Sequence, residues 1–225
     1  MRRIWNDLTS MRLLLALFIC ICLISCSQDK TTETIRSAYY WSTNWQMDSS
    51  KKNFIQKHHI KRLYVRFFDV VRDADGEIMP NATLQFDTAD EKRTTEEKEK
   101  ESLMPKGMEI IPVVYIVNDC FKANTKTNPI RNDKSGRKSS DETPRQLADK
   151  ILNRILQMNE ANDIENVKEI QIDCDWTAST QEAYFKFLHI LKEKAKDKQI
   201  QLSATIRLHQ LSMTPPPVDR GILMM

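Results

Sequence analysis

This chain is poor in glycine and cysteine, has no repeats, and lacks a concentrated charge of either sign. Of 225 residues only 4 are Gly and 5 are Cys. No stretch recurs and no tract is of low complexity, which excludes a repeat architecture. No H-x-x-H pair occurs, which counts against a zinc-dependent polysaccharide deacetylase. The formal charge is +3, and three Arg and one Asp lie in the first 25 residues, so the remainder carries 3 − 2 = +1. With no Lys/Arg stripe interleaved with aromatics, a nucleic-acid partner is not expected. The longest apolar run, Leu13 to Ile24, is short for a membrane span. What is present, 40% hydrophobic and 29% charged residues, suits one globular domain.

Arg2, Arg3 and Arg12 precede the apolar run, as in an export signal. The run ends in Leu23-Ile24-Ser25-Cys26, which resembles the lipobox of bacterial lipoproteins. That resemblance implies cleavage before Cys26, lipid of the palmitate type on that cysteine, and residues 1–25 as a lipoprotein signal peptide. Ser27 follows the cysteine in place of Asp, which by the same resemblance points to the outer membrane of a Gram-negative cell envelope. An ordinary signal peptide or an anchor helix that happens to contain a cysteine is the alternative. Residues 26–36 read as a polar tether and 37–225 as the folded domain. Beyond the leader only Cys120 and Cys174 remain; Cys174 lies on an apolar strand face and reads as a small buried hydrophobe rather than half of a disulfide.

The domain is organised around Glu169 to Thr177, EIQIDCDWT. Ile170, Ile172 and Cys174 alternate with Gln171, Asp173 and Asp175, the period of a strand. Two carboxylates thus leave one face a single pleat step apart, and like charges that close raise a pKa or attract a cation. Further strands are expected at Ala38–Trp45, Ile60–Val71, Glu109–Asn118, Ile200–Leu208 and Ile222–Met225, with a small hairpin over Ile78–Phe86 and a turn at Asp75-Gly76. In the second, Arg62, Tyr64, Arg66 and Phe68 share one face and Leu63, Val65, Phe67 and Asp69 the other. Arg66 therefore needs an acid, and Asp173 or Asp175 is the expected partner. Helices are expected at Lys51–His59, from Thr143 onward with Leu147, Ile151, Ile155 and Met158 as its stripe, and after Ser179, where Ser179 and Glu182 suggest a capping box. Asp90–Glu101 reads as a solvated face or loop, and Asp119–Asp141 as a polar loop.

Strand and helix alternate with spacing suited to crossovers, which predicts a parallel sheet. The fold class expected is α/β, a TIM-barrel-like (β/α)8 barrel truncated after about six strands; an open doubly wound sheet is the alternative.

The IDCDW run resembles the strand-four signature of the family 18 chitinase-like glycoside hydrolases, in which a D-x-D-x-E run enters the barrel and the final Glu is the acid. Asp173, Asp175 and Trp176 match; Thr177 stands where that acid is expected. More broadly, the stretches YVRFFDV, IQIDCDWT, LSATIRLHQL and PPVDRGILM are similar to those of bacterial lipoproteins with a glycoside-hydrolase-like barrel, over about residues 38 to 225. The resemblance implies a polysaccharide or oligosaccharide as partner, with membrane attachment through the lipid. Asp173 and Asp175 are the candidate catalytic pair, one acting as acid or base, or one simply orienting the other. Arg66, Trp176, Arg207, His209 and Trp41 are the candidate substrate-binding residues. The structural alternative leaves Asp173 buried against Arg66 or Arg207, with Arg207 neutralising the acidic pair. Asp173, Asp175 and His209 are suitable ligand types for a cation, but with no second His nearby neither a metal nor another cofactor is expected. Asp69 and Asp119, at strand ends, are candidates for the missing acid.

Overall fold

The structure, a computed structural model, describes residues 34–86, 105, 107–122 and 142–225. The leader with Cys26, the charge run Asp90–Glu101 and most of the Asp119–Asp141 loop lie outside the described residues. In chain order the elements are β1 (Ser37–Tyr40), β2 (Asn44–Trp45), α1 (Ser49–Lys57), β3 (Arg62–Arg72), β4 (Ile78–Asn81), β5 (Gln85–Phe86), β6 (Glu109–Ile116), α2 (Glu142–Ala161), β7 (Glu169–Asp173), α3 (Gln181–Lys196), β8 (Gln201–Arg207) and β9 (Arg220–Met224), with short 3-10 turns at Asn118–Phe121 and Leu208–Gln210. Among the described residues no helix is long and apolar enough to cross a membrane.

The main sheet runs β1-β3-β6-β7-β8-β9, every neighbouring pair parallel, with β4 antiparallel on β3. Strand order follows chain order without reversal, so the switch point that defines a doubly wound sheet is absent from it. Two interior bonds show that the sheet is curled. Tyr39 Oη donates to Gln171 Oε1 at 2.9 Å, joining β1 to β7, and Arg220 Nη2 donates to Tyr64 Oη at 2.9 Å, joining β9 to β3. On a flat sheet β9 and β3, four strands apart, would be separated by about 19 Å. The fold is α/β, a parallel half-barrel with helices on its outer face.

That outer face is where the apolar alternation goes. Val65, Val114, Ile170, Ile172, Leu202 and Cys174 form one core with Leu147, Ile151 and Ile155 of α2 and Tyr184, Phe187, Leu188 and Leu191 of α3. The expected helix stripes are therefore those that pack, each large side chain contributing about 1.5–3 kcal/mol of burial. Cys120 and Cys174 are both free thiols, buried in this region. The inner face is separate and mostly polar, with a small apolar cluster of Tyr64, Ile111 and Val113.

Three local expectations change. Strand one divides because Tyr40 Oη donates to the Asn44 carbonyl at 2.7 Å and accepts from Gln46 N–H at 2.9 Å, turning the chain out of the sheet; Asn44–Trp45 then pairs with β5. The hairpin over 78–86 is also split, since β4 pairs with β3 through a turn closed by Asp73 and Gly76, the latter at φ 92°. Finally, α3 starts one residue late. Thr180 is its N-cap, whereas the Ser179 hydroxyl lies 3.0 Å from Thr177 Oγ1, so Ser179 and Glu182 do not form the box.

Candidate functional site

The strongest departure from simple alternation is a bulge in β3. The register with β6 shifts between Arg66 and Phe68. Phe67 is the extra residue, and beyond it the faces exchange: Phe68 registers with Val114 on the helix side and Asp69 with Tyr115 on the inner side. Asp69 thus joins Arg66 on the inner face, contrary to the expected split. Arg66 Nε donates to Asp69 Oδ1 at 2.7 Å while Nη2 contacts Oδ2. This fork-shaped pairing gives Arg66 its acid three residues along its own strand, not on Asp173 or Asp175. It also occupies both oxygens of Asp69. Asp119 is ion-paired to Lys122 at 2.7 Å on the surface.

Register carries the row onward. Tyr115 pairs with Asp173, and Ile172 with Ala204, which puts Thr205 beside Asp173. Asp69, Tyr115, Asp173 and Thr205 therefore cross the inner face side by side near the carboxyl ends of their strands, the rim where barrel enzymes hold their chemistry. Asp173 Oδ1 accepts from Thr205 Oγ1 at 2.5 Å and from Arg207 Nη2 at 2.9 Å. Arg207 Nε turns to Asp175 Oδ1 at 2.5 Å, so one guanidinium holds both carboxylates. The two acids differ in setting: the Asp173 side chain is 4% exposed, that of Asp175 49%. Burial raises the carboxyl pKa of Asp173; Thr205 and Arg207 oppose the rise and Asp175 adds to it. The phenol of Tyr115 is raised too, by burial first and then by Asp175 and Asp173, so it stays protonated and can donate.

A column of rings stands beside this row. Trp41 stacks on Tyr39 at 5.4 Å with planes 3° apart, and Tyr39 stacks on Tyr64 at 4.7 Å. Trp41 follows the end of β1 and is 37% exposed. Its indole is available to a ligand in a way that Trp176 is not. Trp176 keeps the parity of Ile172 and Cys174, so it turns to the helix side, 1% exposed, against Phe185 and Tyr184. The expectation that Trp176 lines the groove is corrected on that ground. His209 lies on the 3-10 turn after β8, exposed, rather than on the strand face with Arg207. Among the described residues no group of three or more His, Cys, Asp or Glu is placed to hold a metal ion. Thr177 is exposed, its hydroxyl 3.0 Å from that of Ser179.

Lower on the same face is a group the sequence did not single out. Gln171 links Tyr39 to Ser203, accepting at 2.9 Å and donating at 3.4 Å. Below it Glu169 is buried against Arg220, which also reaches Tyr64. Polar residues at 169, 171 and 173 of an otherwise apolar strand were the available signal.

No protein-family model and no curated protein matches the sequence. Among solved structures, the chain is similar to the Bacillus cereus spore cortex-lytic enzyme SleL at 20% identity and TM-score 0.43, over 85% of this chain and 41% of that one. The Bacillus megaterium SleL matches at 17% identity and TM-score 0.41, over 78% and 36%. A chitinase from Chromobacterium violaceum matches at 11% identity and TM-score 0.41, over 84% and 55%. The chain thus spans between about a third and just over half the length of these proteins.

Proposed function

We propose that this is a lipid-anchored, glycoside-hydrolase-like protein whose half-barrel rim binds or acts on a polysaccharide or oligosaccharide. The observation that supports it most is the juxtaposition of two carboxylates held by Arg207 with the exposed ring of Trp41 at the carboxyl ends of the strands. Sugar rings present C–H faces that stack on indole, while their hydroxyls need fixed charged and polar partners. In this reading Trp41 is the platform, Arg66, Arg207 and His209 address hydroxyls, and Asp173 or Asp175 carries the acid or base role. The chitinase-like signature on β7 supports the carbohydrate context. Attachment is through Cys26, in the outer membrane.

A second reading, binding without turnover, is favoured by Thr177 at the position where the signature has its acid and by the arrangement of the acids. Asp173 ends β7, Asp175 lies two residues beyond it, and the two share one arginine rather than flanking a bond from two sides as a hydrolytic pair does. Calorimetry and product analysis with chitin oligosaccharides and solubilised spore cortex distinguish these. Saturable binding that weakens at least tenfold in Trp41→Ala supports a glycan site. New reducing ends that vanish in Asp173→Asn and Asp175→Asn make it a hydrolase; binding without them makes it a binder. No binding to any glycan in a panel of neutral, amino and acidic sugars overturns both. Metabolic labelling with palmitate, lost in Cys26→Ala, tests the anchor.

A further inference from the structure

Along α1, which returns the chain from the rim to the amino end of β3, lies a surface that the glycan reading does not use. α1 buries none of its residues. Its Phe54 is 52% exposed, with its ring 4.4 Å from that of His58. Residues 48–61 contain one Asp, four Lys and two His, a formal −1 + 4 = +3. The incoming chain joins this surface directly: Arg36 Nη1 donates to the His58 carbonyl at 3.2 Å, and Lys61 N–H donates to the Arg36 carbonyl at 3.0 Å. Ile35, beside it, is 44% exposed. Arg36 brings the charge of the patch to +4, while residues 26–225 total +1, so the rest of the domain carries 1 − 4 = −3. A net basic patch thus lies where the chain enters the sheet, with two exposed apolar side chains, Ile35 and Phe54, in it.

We propose that Ile35, Arg36, Phe54, Lys57 and their neighbours dock the domain on an anionic phospholipid surface. The inference rests on the lipid anchor proposed at Cys26. Ten residues separate Cys26 from Arg36, a reach of at most about 35 Å, so an anchored chain keeps this end close to the headgroups. Basic side chains gain there from the negative surface potential, while Phe and Ile enter the headgroup boundary. Since Ser37 pairs with Arg62 at the amino ends of the strands, docking here directs the Asp173–Arg207 rim away from the membrane.

The test uses the full chain, purified with its lipid and reconstituted into vesicles of phosphatidylcholine alone or with one third phosphatidylglycerol. Flotation on phosphatidylcholine reports the anchor. Amide exchange of Ser49–Lys57 reports the patch. The expected result is exchange slowed at least tenfold on the anionic vesicles relative to the neutral ones, with the difference lost in 0.5 M salt. In Arg36→Ala/Lys57→Ala the docked population falls roughly 25-fold, about fivefold per basic residue, while flotation is unchanged. Equal exchange on both vesicles in a protein that floats overturns the docking surface and leaves the anchor standing. If the protein does not float on phosphatidylcholine, the anchor fails. Flotation on anionic vesicles alone would then still support the patch, and its absence there as well would remove it.

Discussion

Removing the guanidinium of Arg207 isolates the consequence of holding two acids on one base. Arg207→Met keeps much of the side-chain volume and leaves Asp173 buried, with the Thr205 hydroxyl as its one hydrogen-bond donor among the described residues and Arg66 as the nearby charge. Breaking a buried pair from one side costs 3–5 kcal/mol. About 3 kcal/mol is expected here, since Arg207 is 27% exposed and Thr205 persists. The bond to Asp175, half exposed, adds at most about 1 kcal/mol. The loss should depend on pH in a defined direction. The carboxyl of Asp173 is already above its usual range through burial, with Arg207 pulling it down. The folded state therefore holds the proton more tightly than the unfolded chain, and stability falls as pH rises from the ordinary Asp value of about 3.9 through the folded value. Without Arg207 the folded value climbs further. The variant's penalty should be small near pH 4 and full near pH 7.5 in urea unfolding, and Asp173→Asn/Arg207→Met should recover at least half of it. A penalty independent of pH, or a double variant no more stable than the single one, would refute the electrostatic account of this pair.

Thr205→Val removes the second donor to Asp173 at nearly constant volume and should cost about 1–2 kcal/mol at pH 7.5, read by the same unfolding curves. The Cys120 thiol is pushed up to about 11 by burial, and that of Cys174 is also raised by burial; neither should react with a disulfide reagent at pH 8 in native protein, as mass spectrometry would show, and both should react in urea.

The strand pattern, the two helix stripes and the parallel sheet were readable because each rests on a local period. The grouping of Asp173, Asp175 and Arg207 was within reach for the same reason, as all three carry the inward parity of their strands. Trp176 was misplaced although its parity with Ile172 and Cys174 pointed to the core; its neighbours in the signature drew it to the site. The partner of Arg66 was not legible. One extra residue at Phe67 exchanges the faces of β3, and nothing in YVRFFDV marks which residue bulges. Tyr64 and Arg220 meet only because the sheet curls, a property of the strands together rather than of any segment.

The two bonds that cross the interior have a kinetic consequence. Tyr64 and Arg220 are 156 residues apart in the chain, and Tyr39 and Gln171 are 132 apart. As polypeptide emerges amino end first, β1 and β3 can form their ladder early, but Tyr64 must wait for another 156 residues before its interior partner exists. The curl consequently sets after the β1–β3 ladder, once long loops have closed at their cost in entropy. Until then the inner face of the early strands is open and their edges unpaired, the condition in which a half-made sheet aggregates. Lowering synthesis temperature should therefore help the soluble yield of this chain more than strengthening any single strand.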